Sequence, residues 1–156
     1  MVNREDISAA VDIDAPPERV WDLLTDLSRM PDWSPQCRKM WVRGSDKTVR
    51  AGATTVNLNR RGLLFWPTRA KIKECVAPSR FAFKIAENGT VWTYDLEPTA
   101  TGTRLTESRR APNGVSDLSN FLTRNVLGGT ENFEDELEAG MRQTLERIKA
   151  AAESAR

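Results

Sequence analysis

The chain has 156 residues, enough for one domain that buries about two thirds of its unfolded surface. Its 23 Lys and Arg against 22 Asp and Glu leave a net charge of +1, so no global field steers it toward nucleic acid or an anionic membrane. It contains no histidine. That excludes Ser-His-Asp and Cys-His catalysis, histidine proton shuttles and histidine-ligated metals, and leaves Asp, Glu, Lys, Cys, water and the single tyrosine, Tyr94, for proton transfer.

Residues Ile7 to Asp14 alternate, with Ile7, Ala9, Val11 and Ile13 on one face, which predicts a half-buried strand. Pro16 and Pro17 suit the first positions of a helix, where a missing N–H costs nothing. That helix runs to about Asp26 and turns Val20, Trp21, Leu24 and Leu27 inward. Pro31 and Pro35 bracket a second, short helical turn carrying Trp33. A run of strands follows: residues 38–43, 54–60, 64–76, 81–85, 91–97 and 103–110, separated by turn residues such as Gly44-Ser45-Asp46-Lys47, Pro78-Ser79, Asn88-Gly89 and Thr101-Gly102. Short turns between successive strands predict an antiparallel meander. Leu118, Phe121, Leu122 and Val126 then recur at helical spacing between Pro112-Asn113-Gly114 and Gly128-Gly129. Last, Phe133, Leu137, Met141, Leu145, Ile148 and Ala152 form an apolar stripe on a long helix from about Thr130 to Ala152, acidic at its start and basic toward its end, as the helix dipole favours.

The N-terminus has no apolar core of signal-peptide length, and no segment approaches the roughly 20 apolar residues of a membrane span. The expected location is the cytoplasm, with Cys37 and Cys75 as reduced, structural thiols. The pairs Arg60-Arg61 and Arg109-Arg110 read as solvated surface charge. One domain over residues 1–156 is expected, of class α+β, with a curved seven-stranded antiparallel sheet wrapped around the long C-terminal helix and two short helices after the first strand.

Four motifs carry a family resemblance. They are Asp14-Ala15-Pro16-Pro17 with Val20, Trp21, Leu23 and Asp26; Pro31-Asp32-Trp33; Trp92 to Pro98 with Tyr94 and Leu96; and the strand start Gly102-Thr103-Arg104-Leu105-Thr106. Together they resemble the START-related, polyketide cyclase/dehydratase-like superfamily (SRPBCC, helix-grip fold) over essentially the whole chain. The resemblance implies a deep internal cavity for an apolar small molecule, lined by the sheet's inner face and the last helix. It implies that the region of Leu118, Phe121 and Leu122 closes the cavity mouth, either as a movable lid or as a helix fixed on the rim.

Strand phase then nominates the lining. Thr103 and Leu105 carry Glu107 and Arg109 to the inner face of the last strand. Ala70, Ile72 and Val76 do the same for Glu74. Charged side chains on an apolar face either pair with one another or face water or a ligand. In the first case they form an ion network. In the second they are the polar end of a cavity, with Glu107 a candidate general acid/base whose partner is Arg109. Tyr94 is either a core phenol or a ligand contact. Trp33, Trp66 and Trp92 lie at turns or where the long helix crosses, and flat rings suit flat ligands. The candidate ligand-binding residues are Trp33, Trp66, Ile72, Glu74, Phe83, Trp92, Tyr94, Leu105, Glu107, Arg109, Leu118, Phe121, Leu122, Phe133, Leu137 and Met141. Glu107, Arg109 and Tyr94 are the catalytic candidates if the protein is an enzyme.

The expected function is therefore binding or carriage of a lipid, polyketide or aromatic metabolite. The alternatives are a polyketide cyclase/aromatase or dehydratase, and a protein-interaction or stress-response module. No cofactor, no metal, no nucleic acid and no integral membrane association are expected, and the oligomeric state is a monomer or weak homodimer.

Overall fold

The computed structural model describes residues 6–111 and 130–154, with side chains in the second range from 135 onward. Leu118, Phe121 and Leu122, and the side chain of Phe133, lie outside the described residues. The elements are β1 (Asp6–Ile13), α1 (Pro17–Thr25), a 3-10 turn (Leu27–Arg29), α2 (Met30–Trp33), β2 (Cys37–Val42), β3 (Thr54–Arg61), β4 (Leu64–Val76), β5 (Arg80–Ile85), β6 (Val91–Pro98), β7 (Thr103–Arg110) and α3 (Thr130–Ser154). All seven strands form one sheet in the order β1-β7-β6-β5-β4-β3-β2, each pair antiparallel. The strands β2 to β7 are thus a meander, and β1 closes it from the far side. This is the helix-grip arrangement.

Burial follows the apolar periods. β1 buries Ile7, Ala9 and Ile13; α1 buries Val20, Trp21 and Leu24; α3 buries Leu137, Met141, Leu145, Ile148 and Ala152. The stripe of α3 packs on β1 and α1. At the centre Phe81 meets Trp21 edge-on at 6.3 Å and stacks on Tyr94 at 6.4 Å between ring centroids.

The corner between β1 and α1 is pinned by β7. Thr103 donates from Oγ1 to the Ala15 carbonyl at 2.7 Å, in a buried site. Gly102 passes so close to this corner that a Cβ there would overlap the Ile13 carbonyl oxygen and lie 2.7 Å from the Ala15 nitrogen. Both neighbours are backbone and cannot rotate away. Gly102→Ala is expected to cost about 3 kcal/mol, at the upper end of overpacking penalties, read as a lower urea midpoint. An unchanged midpoint would mean the corner yields.

One strand departs from the expected phase. β4 pairs with β5 through a register shift between Ile72 and Glu74. Such a bulge adds one residue and exchanges the faces beyond it. Ala70 and Ile72 stay inward, but Glu74 turns outward to meet Arg80 at 2.7 Å, and Val76 is 56% exposed. Cys75 takes the inward place and packs on the core. Glu74 is therefore not part of the interior. In β3 the apolar residues Val56 and Leu58 lie on the outer side, while Thr55 and Asn57 are buried. β3 thus presents polar side chains to the interior.

Candidate functional site

The inner face of the sheet is built in cross-strand rows. One row runs Ala9, Glu107, Tyr94, Phe81; the next runs Ile7, Arg109, Trp92, Phe83, Ile72. Residues directly opposite in a ladder share a face, so Leu105, Glu107 and Arg109 all point inward, and both charged side chains are buried; of the pair Arg109-Arg110, expected as solvated surface charge, only Arg110 is exposed. The small Ala9 beside Glu107 leaves room for its carboxyl.

Tyr94 donates to Glu107 Oε2 at 2.9 Å. Glu107 Oε1 is buried and has no hydrogen-bond partner among the described residues. Glu107 as a whole is 3% exposed. Burial, partly offset by the Tyr94 hydrogen bond, pushes its pKa up to about 8. At neutral pH it is therefore mostly a neutral acid that can donate a proton from one oxygen and accept at the other. Burial, and next the charge of Glu107, push the Tyr94 phenol well above its ordinary range, so it remains a donor. Arg109 lies one row along, opposite Trp92. The expected Glu107–Arg109 ion pair is not formed. Neighbours at i and i+2 share a face, but the residue directly across the ladder is closer, and for Glu107 that residue is Tyr94.

These groups face a cavity of about 160 Å³. Roughly 150 Å³ of dry space holds one aromatic ring. Among the expected ligand contacts, Trp66, Phe83, Trp92, Tyr94, Glu107, Arg109 and Leu137 line it. Met141 lines an adjoining hollow of about 360 Å³, which shares Trp92, Glu107 and Leu137 with the first and reaches Arg60 and Arg61 at the end of β3. There Arg61 grips Glu136 of α3 through two 2.6 Å bonds. Ile72 and Leu105 are fully buried core without a place on the cavity wall, and Trp33 is buried in α2 beneath the Arg29 guanidinium, 4.7 Å from its ring.

A second polar wall was not anticipated. Asn57, Asn59 and Thr68 of β3 and β4 line the cavity. Asn57 Nδ2 and Asn59 Nδ2 both donate to Thr68 Oγ1, at 3.2 and 2.9 Å, and Thr55 donates to Asn57 Oδ1 at 2.9 Å. The signal lay in the turn. Counting back from Gly62-Leu63 pairs Asn59 with Trp66 and Asn57 with Thr68, so an inward Trp66 forces both asparagines inward. Cys37 also lines the cavity, but burial pushes its thiol up to about 11, which leaves it protonated and inert.

The described residues contain no cluster of three or more Cys, Asp or Glu positioned for a metal. They also contain no helix long and apolar enough to cross a membrane. Residues 4–153 match the family model described as polyketide cyclase/dehydrase and lipid transport. The chain belongs to the polyketide cyclase/dehydrase and lipid transport family. Solved structures agree on the fold. A polyketide-cyclase-like protein from Corynebacterium glutamicum is 24% identical, with 98% of this chain and 94% of that one covered and a TM-score of 0.65. The di-domain ARO/CYC protein StfQ of the steffimycin biosynthetic pathway is 14% identical; 96% of this chain and 50% of StfQ are covered, with a TM-score of 0.76. BexL, another di-domain ARO/CYC protein, is 18% identical, with 97% of this chain and 50% of BexL covered and a TM-score of 0.70. Comparison with curated proteins gives no match. In this member of the polyketide cyclase/dehydrase family the site is thus a buried acid–phenol pair on one side of the cavity and an amide–hydroxyl wall on the other.

Proposed function

We propose that this protein binds an apolar, oxygen-bearing small molecule, a lipid, polyketide or aromatic metabolite, with its oxygen held by Glu107 and its rings against Trp66, Phe83 and Trp92. The observation that carries this reading is Glu107 Oε1, buried at the cavity wall without a hydrogen-bond partner among the described residues. An unsatisfied buried polar atom costs about 1–3 kcal/mol, and a ligand hydroxyl or carbonyl removes that cost. Ligand binding should quench tryptophan emission and give a negative heat-capacity change. Mass spectrometry of the purified protein under native conditions, followed by titration with fatty acids, sterols and aromatic polyketides, tests it. If nothing co-purifies and no compound binds up to its solubility limit, the reading fails.

A second reading has its own support. A carboxyl with a pKa near 8 is well matched to general acid/base work around neutrality, and two of the structural relatives are ARO/CYC proteins. Here Glu107 would move a proton on a bound poly-ketone chain, with Tyr94 holding the carboxyl in place. Glu107→Gln separates the two readings: a binder keeps its affinity within a few fold, while a cyclase or dehydratase loses turnover.

A further inference from the structure

The outer face of β2–β4 is the part of the molecule that its interior does not explain. Gly62 has φ +62°, the left-handed value that a two-residue hairpin turn asks of its first position. The turn it makes puts Leu63 at the apex, 94% exposed. Phe65 follows at 52%, and Trp41 on the neighbouring edge strand stands at 40%. The register joins them into one surface. Trp41 lies opposite Val56, which lies opposite Arg69; Lys39 lies opposite Leu58, which lies opposite Pro67; Arg60 lies opposite Phe65.

The same surface is basic. Lys39 sits over the Trp41 ring and Arg60 over the Phe65 ring, each 5.3 Å from the centroid. Arg69, bonded to Glu87 at 3.0 Å, and the exposed Lys71 bring the cations on the described part of this face to four. Glu74 and Asp95 are drawn to Arg80 at the other end of β4 and on β6. On a chain whose net charge is only +1, this is a local concentration. The end of the hairpin also borders the outer hollow of the cavity, through Arg60, Arg61 and Gly62.

We propose that this face docks on an anionic lipid bilayer, with Leu63 and Phe65 entering the acyl boundary and Lys39, Arg60 and Lys71 meeting lipid headgroups. Aliphatic and aromatic side chains at a protruding tip, with cations set behind them, are what an interfacial anchor needs. A nucleic acid would use the rings and cations, but it offers nothing to the fully exposed Leu63. Each Lys or Arg brought to an anionic surface improves partitioning by about five-fold. The attachment is peripheral and does not depend on what the cavity holds.

The test is sedimentation of the full chain with phosphatidylcholine vesicles, with and without phosphatidylserine. The wild type is expected to pellet with the phosphatidylserine vesicles, at least about tenfold less with phosphatidylcholine alone, and less again at high salt. The double variant Leu63→Ser/Phe65→Ser should lose binding by about tenfold or more, and Lys39→Ser/Lys71→Ser by about 25-fold. All four side chains are exposed, so melting temperatures should match the wild type. The proposal is overturned if the wild type pellets with neither vesicle, or if Leu63→Ser/Phe65→Ser binds as well as wild type. It is also overturned if the face instead mediates self-association, or retains an oligonucleotide without binding vesicles.

Discussion

Glu107→Gln is expected to stabilise the protein at alkaline pH and to flatten its pH dependence. An unfolded glutamate ionises near 4.5, whereas Glu107 in the fold ionises near 8 because burial disfavours its charge. Between those values the folded chain holds a proton that the unfolded chain has released. Stability therefore falls as pH rises through this window, and the loss is complete above about pH 8. At about 1.4 kcal/mol per pH unit the full effect is on the order of 5 kcal/mol. Glutamine keeps the shape, stays neutral and still accepts from Tyr94. At pH 9 the variant should melt about 10 °C above the wild type, while at pH 4 the two should nearly coincide. Parallel pH profiles in chemical denaturation would show that Glu107 is already ionised in the fold.

Ile148→Asp should have an effect as large and of opposite sign. Ile148 is fully buried in the middle of the α3 stripe, with Leu145 and Ala152 beside it on the same face. An aspartate there would be a buried charge without a partner, which costs about 3–5 kcal/mol. That is a large share of the 5–15 kcal/mol typical of a whole domain. Leu137→Asp on the same helix should cost less, because Leu137 borders the cavity and water can reach a carboxylate there. Urea denaturation reads both. Equal midpoints for Ile148→Asp and wild type would mean that α3 does not pack on the sheet as described.

The long-range architecture was legible because it rests on periodicity. The 3.6-residue stripe of α3, the period-2 alternation of β1 and β7 and the turn residues between strands each have a local signature, and the sheet order follows once successive strands pair. The inward course of Leu105, Glu107 and Arg109 was legible for the same reason. Other features were hidden by contacts that no single strand records. The bulge after Ile72 inserts one residue without a glycine to mark it, so Glu74 and Val76 were expected on the wrong face. In β3 the rule that apolar residues point inward failed. Asn57 and Asn59 serve a cavity, and Val56 and Leu58 cover the outside. The partner of Glu107 was mistaken because the partner lies on another strand, at a position fixed by register. Trp33, Ile72 and Leu105 are apolar residues of the right face that happen to fill the core, a distinction that depends on where packing stops.

The cross-strand row that holds the acid has a bearing on how such a protein can change. Glu107 and Tyr94 are fixed by the backbone ladder between two interior strands, next to Ala9 on one side and Phe81 on the other. The asparagine wall lies three and four strands away, near the free edge of the sheet, and the outer hollow is bordered by a turn. Substitutions, insertions or length changes at that edge can reshape the chamber without displacing the carboxyl. The carboxyl and the part of the wall that such changes would remould thus stand on separate parts of the sheet, and the shape of the chamber can vary while the acid stays in place.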